Sequence, residues 1–151
     1  MLFKAKYNIE SKNTRYDCLK RFLSVFHDLN QGYEYFDDEK ELFGYCEEGE
    51  FTFKTNTPAS LLYNYLPKTK IKFIEKDGKS VMLVVTKSFM LRLVFCIFAL
   101  FALLFALEAI LLSNTRFYII TAVCLALAFV TAFLSSRQIV KIKAKLKDLM
   151  N

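Results

Sequence analysis

The chain has 151 residues, a formal net charge of +6 and a hydrophobic fraction of 54%. At this length it holds one modest soluble domain beside any membrane segment, which excludes a large soluble core. The four cysteines lie at positions 18, 46, 96 and 124, a spacing that excludes a paired zinc-binding motif and is typical of ordinary packing residues. The alternating N-terminus is unlike a cleaved secretory signal.

The first predicted elements are a strand and an amphipathic helix. Phe3, Ala5, Tyr7 and Ile9 alternate with polar residues, which is the period of a strand with one buried face. Thr14 and the acidic residue three positions later then form a capping box. Apolar residues follow at helical spacing, at Tyr16, Leu19, Phe22, Leu23, Phe26 and Leu29. We expect a helix of about 15 residues that ends near residues 30–32 and carries His27 on its surface.

Short strands are predicted for most of the remaining soluble segment. The runs 33–36, 40–47 and 50–55 are separated by Asp37-Asp38 and by Glu48-Gly49. A short helix or a loop is predicted over 57–65, with Pro58 in its first turn and Pro67 just after its end. The runs 70–75 and 79–86 flank Asp77-Gly78, a strong hairpin signal. The predicted domain, residues 1–87, is therefore of the α+β class, with an antiparallel sheet of five to six strands and one long helix packed on a face.

A transmembrane helical hairpin is predicted over residues 88–136. Its two apolar runs, about 89–112 and 117–134, are each close to the roughly 20 residues that a helical crossing needs. Arg137 and the lysines beyond it mark the cytoplasmic side, as do the basic residues before the first span, whereas the connector carries only Arg116. The sequence therefore predicts a multi-pass protein of the cell (inner) membrane with both termini in the cytoplasm, and an abundance of Lys, Asn, Phe, Tyr and Ile that hints at a bacterial source.

Small residues form a stripe along each predicted span. The stripes are Ala99, Ala102, Ala106 and Ala109 in the first span, and Thr121, Cys124, Ala128, Thr131 and Ser135 in the second. Such stripes allow helices to approach closely in lipid, so we expect them to face each other, with a homodimer as the alternative. We also expect a contact between Glu108 and Arg116, with an ion or proton role for Glu108 as the alternative.

Residues 137–151 are predicted to form a basic amphipathic helix. Its apolar stripe is Ile139, Ile142, Leu146 and Leu149, and lysines surround it. The helix has three candidate positions: on anionic lipid headgroups, against the soluble domain, or paired with a copy of itself. The soluble part is also polarised, because residues 34–50 hold eight acids whereas residues 68–87 hold six lysines. We expect the lysine-rich hairpin to lie against an anionic leaflet.

No combination of residues indicates catalysis, a metal site or a cofactor site, so we expect the chain not to be an enzyme. The leading hypothesis is a membrane-anchored cytoplasmic binding or scaffolding module that recruits a protein partner or assembles in a membrane complex. The alternatives are a lipid-binding or small-amphiphile-binding module, with an apolar groove between helix and sheet, and an accessory subunit of a transporter or channel. The predicted partners are the bilayer, anionic headgroups at the basic tail, and a protein or a second copy, but not nucleic acid. The candidate interface or partner contacts are Arg92, Glu108, Arg116, Arg137, Lys141, Lys143, Lys145 and Lys147.

Overall fold

The computed structural model describes residues 3–31, 40–55, 66–76, 78–112 and 114–150. The elements predicted at 33–36 and 57–65, and the break at Asp37-Asp38, lie outside these residues. Within them, six strands form one sheet: β1 (Lys4–Ser11), β2 (Phe26–Asp28), β3 (Leu42–Glu47), β4 (Glu50–Lys54), β5 (Lys68–Lys76) and β6 (Lys79–Lys87). The helices are α1 (Arg15–Val25), α2 (Phe89–Leu112) and α3 (Thr115–Met150), and a 3-10 turn spans Leu29–Gln31. The predicted α+β class is confirmed.

The sheet has the order β1-β6-β5-β4-β3-β2 and is mixed. Four of its five strand pairs are antiparallel, whereas β2 runs parallel to β3. The prediction of an antiparallel sheet is thus wrong at this edge. The tight turns lie where they were predicted, since Glu48 and Gly49 both have positive φ between β3 and β4, and Gly78 has φ of 72° between β5 and β6.

Helix α1 is shorter than predicted. The Thr14 hydroxyl accepts a hydrogen bond from the Asp17 backbone N–H, which confirms the predicted cap. The helix ends at Val25 because Phe26 takes an extended conformation and pairs with Leu42 of β3. Strand pairing therefore overrides the helical period of residues 26–29. His27 lies in β2 and is 6% exposed, so its predicted surface position is wrong.

The core lies on one face of the sheet, beneath α1. Phe22 of α1 is completely buried, and its ring centroid is 5.0 Å from that of Phe51, 5.7 Å from that of Phe53 and 5.8 Å from that of Phe73. Cys18 is also buried there, whereas Tyr16, which was predicted to lie on the buried stripe, is 73% exposed. Aromatic side chains therefore fill the layer between α1 and the sheet around Phe22.

Helix α3 completes the same core. Its 36 residues correspond to a length of about 54 Å, and the predicted second span and the basic tail are parts of this one helix. Ile142, Leu146 and Met150 belong to the core cluster, and the Ser11 hydroxyl and the Asn13 amide both donate hydrogen bonds to the Met150 carbonyl oxygen. Of the three predicted positions for the tail, the structure shows packing against the soluble domain.

Helices α2 and α3 are long and apolar enough to cross a membrane, and they pack against each other. Ala102, Ala109, Ala128, Thr131 and Ser135 are buried, whereas most large apolar residues of both helices are exposed. The small-residue stripes thus close the hairpin within one chain, as predicted. A single residue, Ser88, separates β6 from α2, and its N–H donates to the Phe3 carbonyl oxygen over 2.8 Å.

We predict that Leu146→Ala destabilises the sheet although residue 146 lies in the last helix. Leu146 is 1% exposed in the core, and truncation of such a leucine costs about 2–5 kcal/mol. Hydrogen exchange of the full chain in detergent should therefore accelerate about thirtyfold or more at the best-protected amides of β5 and β6. The matched control is Lys147→Ala, next to it on the exposed side. Equal protection in the two variants would contradict the shared core.

Candidate anion-binding groove

The face of the sheet opposite the core is covered by no described helix. Strand alternation places the lysines of β1, β4, β5 and β6 on this face, which we call the open face. These lysines are Lys4, Lys6, Lys54, Lys68, Lys70, Lys72, Lys76, Lys79 and Lys87. Between them lie the half-buried apolar side chains of Ile74, Leu83 and Val85. The open face therefore combines positive charge with an apolar centre.

Four lysines lie side by side at one end of the open face. Lys87 of β6 is directly opposite both Lys4 of β1 and Lys68 of β5 in the strand register. Lys54 adjoins Lys68, because the preceding residue of β4 is paired with the residue after Lys68. We call these four residues the lysine row. Neighbouring strands are about 4.8 Å apart, so the row concentrates like charges that repel one another.

The lysine row borders a groove at the junction of the sheet with α2. The groove has a volume of about 720 Å³ and is lined by Lys54, Leu66, Lys68, Lys70, Val85, Lys87, Phe89 and Met90. None of these lining residues is acidic. Phe89 and Met90 are the first two residues of α2, so the partial positive charge at the helix N-terminus adds to that of the lysines.

Burial and charge repulsion act on Lys54 within this groove. Partial burial lowers the pKa of its ammonium group, and the neighbouring charge of Lys68 lowers the pKa further. Both effects disfavour the protonated form, and a bound anion would oppose them. The groove therefore suits a ligand with a negatively charged group and an apolar portion.

The other end of the open face has mixed charge. Glu47, Glu48 and Glu50 lie there beside Lys70 and Lys72, and the Lys72 ammonium forms an ion pair of 3.3 Å with the Glu50 carboxylate. Within the described part of the sheet these acids therefore lie beside lysines and do not form a separate acidic end. The acids predicted at 34–39 lie outside the described residues.

The contacts between α3 and β1 show in which direction the strands run relative to the apolar part of α3. The Lys143 ammonium lies 5.3 Å from the ring centroid of Tyr7, and Ser11, four residues farther along β1, contacts Met150. Strand β1 thus advances about 13 Å while α3 advances about 10 Å in the same direction. By the same proportion, Lys4 is level with about residue 138 of α3. The lysine row therefore lies within about one helical turn of the end of the apolar part of α3.

The residues predicted as interface or partner contacts are distributed along both helices and do not form one site. Arg92, Glu108, Arg116, Arg137, Lys141 and Lys147 are exposed. Lys143 contacts Tyr7, and Lys145 forms an ion pair with Glu41 that lowers the pKa of that carboxyl. These two residues thus attach the tail to the soluble domain.

The predicted contact between Glu108 and Arg116 is absent. Ala109 is fully buried in the helix contact, which turns the adjacent Glu108 to the outer surface of the hairpin. The Arg116 backbone N–H donates to the Asn114 side-chain oxygen over 3.0 Å at the start of α3. No ion pair or hydrogen bond joins Glu108 to Arg116.

The groove itself was missed by sequence reasoning. The alternation of lysines in β1 and β5 was visible, but the register that aligns Lys4, Lys87 and Lys68 depends on pairing between distant strands. In the described ranges, no group of three or more His, Cys, Asp or Glu side chains could hold a metal ion. Comparisons of the chain with protein-family models, with curated proteins and with solved structures find no match.

We predict that Lys54→Met stabilises the unliganded protein. Partial burial, and in addition the charge of Lys68, lowers the pKa of Lys54 and disfavours its protonated form in the folded state, and a methionine removes both the burial of charge and the repulsion. Solvent screening limits the gain to about 0.3 kcal/mol. The gain should shrink as the salt concentration rises and as the pH rises through the lowered pKa, where the ammonium loses its charge.

Thermal unfolding in a neutral detergent, followed by near-ultraviolet circular dichroism at two salt concentrations, measures this effect. The matched control is Lys20→Met, an exposed position of α1. A stabilisation that is equal in both variants, or that does not respond to salt, would show that charge repulsion at Lys54 is not its cause.

Proposed function

We propose that the chain is a membrane-anchored binding module that holds an anionic ligand at the bilayer surface through the open face of its sheet. The observation that carries this proposal is the lysine row, in which four like charges lie side by side across neighbouring strands. Like charges at opposed positions destabilise a sheet, whereas an anion bound among them offsets the repulsion. The geometry thus favours binding of an anionic ligand.

Membrane anchoring is part of the proposal. Helix α2 and the apolar part of α3 cross the bilayer as a hairpin, and the sheet stands in the cytoplasm with both termini. Large apolar side chains cover the outside of the hairpin, including Leu111 at 80% and Phe129 at 74% exposed, and such a surface is favourable only in lipid or against a partner. The basic residues that flank the hairpin support the same orientation.

The direction of the strands places only one end of the lysine-rich hairpin near the leaflet, whereas the sequence predicted that the whole hairpin lies against it. Because β1 runs along α3 and away from its apolar part, the strands of the sheet run roughly along the membrane normal. Only the lysine row then lies at headgroup level. Lys79, at the other end of β6, is eight residues and about 26 Å farther out, well beyond the screening length of about 8 Å.

Of the three hypotheses from the sequence, ligand binding is the one that the groove supports, although the groove lies on the opposite face of the sheet from the one expected. Recruitment of a protein partner remains compatible with the mixed charges at the outer end of the open face. The transporter hypothesis finds no support in the arrangement of Glu108, which lies on the outer surface about 6 Å from the end of α2.

The proposed topology predicts opposite labelling of two single-cysteine variants. In a chain whose four native cysteines are replaced by serine or alanine, Asn114→Cys should react with a membrane-impermeant maleimide from outside the cell. Lys12→Cys should react only in inverted vesicles. Both positions are exposed, so a difference reports the side of the membrane. Labelling of both from the same side would contradict the hairpin.

Anion binding predicts a localised response to inorganic pyrophosphate. The full chain is placed in nanodiscs of phosphatidylcholine, and its lysines are ¹³C-dimethylated, which keeps their charge. Pyrophosphate should shift the methyl resonances of Lys54, Lys68 and Lys87 most, and that of Lys20 on α1 least. Potassium chloride of equal ionic strength is the control. Shifts that are uniform over all lysines would show that pyrophosphate acts only by general screening of charge, which would contradict a localised site.

A further inference from the structure

We infer that the groove beside α2 binds a single anionic phospholipid from the bilayer, with its phosphate at Lys54 and Lys68 and its acyl chains along Phe89 and Met90. This inference rests on the proposed function and names its ligand class. It differs from general attraction to a charged leaflet, because it requires one site, one lipid and a dependence on particular lysines.

The chemistry of the lining matches the two parts of such a lipid. Lys54, Lys68, Lys70 and Lys87 supply ammonium donors for phosphate oxygens at one side of the groove, and the described residues of the lining include no carboxylate. Leu66, Val85, Phe89 and Met90 supply apolar surface at the other side. A fully water-soluble anion would leave this apolar side without a partner.

The position of the groove leads the acyl chains into the membrane. Phe89 is 72% exposed and begins α2, and exposed Leu93 and Ile97 follow it along the helix at intervals of four residues. An apolar path therefore runs from the groove down the outer surface of the first span. The charged part of the groove lies within about one helical turn of the end of the apolar part of α3, which is the depth of a phospholipid headgroup.

The volume suits a headgroup and the first part of its chains. Ligand pockets commonly measure about 300–1,000 Å³, and this groove measures about 720 Å³. Most of each acyl chain would lie outside it, in the bilayer. A free phosphate ion would occupy only a small part of the groove.

Native mass spectrometry of the full chain tests the inference. Protein from nanodiscs of equal phosphatidylglycerol and phosphatidylcholine is released from the lipid, and the retained lipid is counted. The wild type should retain one phosphatidylglycerol per chain, at least fivefold more often than phosphatidylcholine. Lys54→Gln combined with Lys68→Gln should lower this retention at least fivefold. Lys54→Arg combined with Lys68→Arg should preserve it, because the charge is kept and guanidinium binds phosphate.

The matched control is Arg137→Gln combined with Lys141→Gln, which removes the same charge from exposed positions outside the groove and close to the level of the lysine row. Retention in this variant should equal that of the wild type. An equal fall in the control and groove variants would overturn the inference, since it would show general electrostatic attraction only. Equal retention of the two lipids by the wild type would also overturn it.

Two further measurements identify the source and position of the ligand. A phosphatidylglycerol with a diazirine in its acyl chain should crosslink to the peptide that contains Phe89 and Met90, and crosslinks confined to other parts of the hairpin would overturn the inference. Glycerol phosphate at millimolar concentration should not displace the lipid, and displacement would identify a soluble phosphate ester as the ligand instead. A localised pyrophosphate response together with a negative lipid result would reject this inference while the proposed function stands.

Discussion

The constraint on which this molecule depends is that one helix belongs to two packing units, the helical hairpin and the core of the domain. The N-terminal part of α3 packs against α2 through small residues and exposes large apolar ones, whereas its C-terminal part contributes Ile142, Leu146 and Met150 to the core of the domain. A sheet with α1 alone would leave apolar surface at β1 and β6 in water, which costs about 25 cal/mol for each Å². The domain is therefore complete only when the chain has formed the hairpin and returned.

This arrangement also explains why the two faces of the sheet differ so strongly. Helices α1 and α3 both pack on the same face, so all the buried aromatic residues around Phe22 gather there. The opposite face carries the lysines, the half-buried Ile74, Leu83 and Val85, and two buried apolar side chains, Phe43 and Val81. Where its strands meet α2, the register aligns positive charges and brings them beside the first apolar turn of a helix.

Local signals predicted much of the fold, and long-range pairing accounts for most of what they missed. The β1 strand, the cap at Thr14, the turns at Glu48-Gly49 and Gly78, and the long apolar helices follow from residues that are neighbours in sequence. Strand β2 does not, because residues 26–28 keep a helical period and become extended only through pairing with β3. The groove could not be predicted from the sequence for the same reason, since Lys4 and Lys87, which the register places side by side, are 83 positions apart. The tail could be predicted as an amphipathic helix, but the surface that its stripe covers could not.

The single-residue connection at Ser88 and the unbroken course of α3 have a mechanical consequence. Neither long helix is joined to the sheet through a flexible linker, so the sheet and the hairpin rotate together as one rigid unit. About 14 residues of α3 extend past its apolar part, an arm of roughly 21 Å. When the bilayer thins or thickens, helices adapt by tilting, and a tilt of about 10° would swing the far end of this arm by roughly 4 Å. If the hairpin crosses a bilayer as proposed, the outer edge of the sheet therefore moves when the thickness of the surrounding lipid changes.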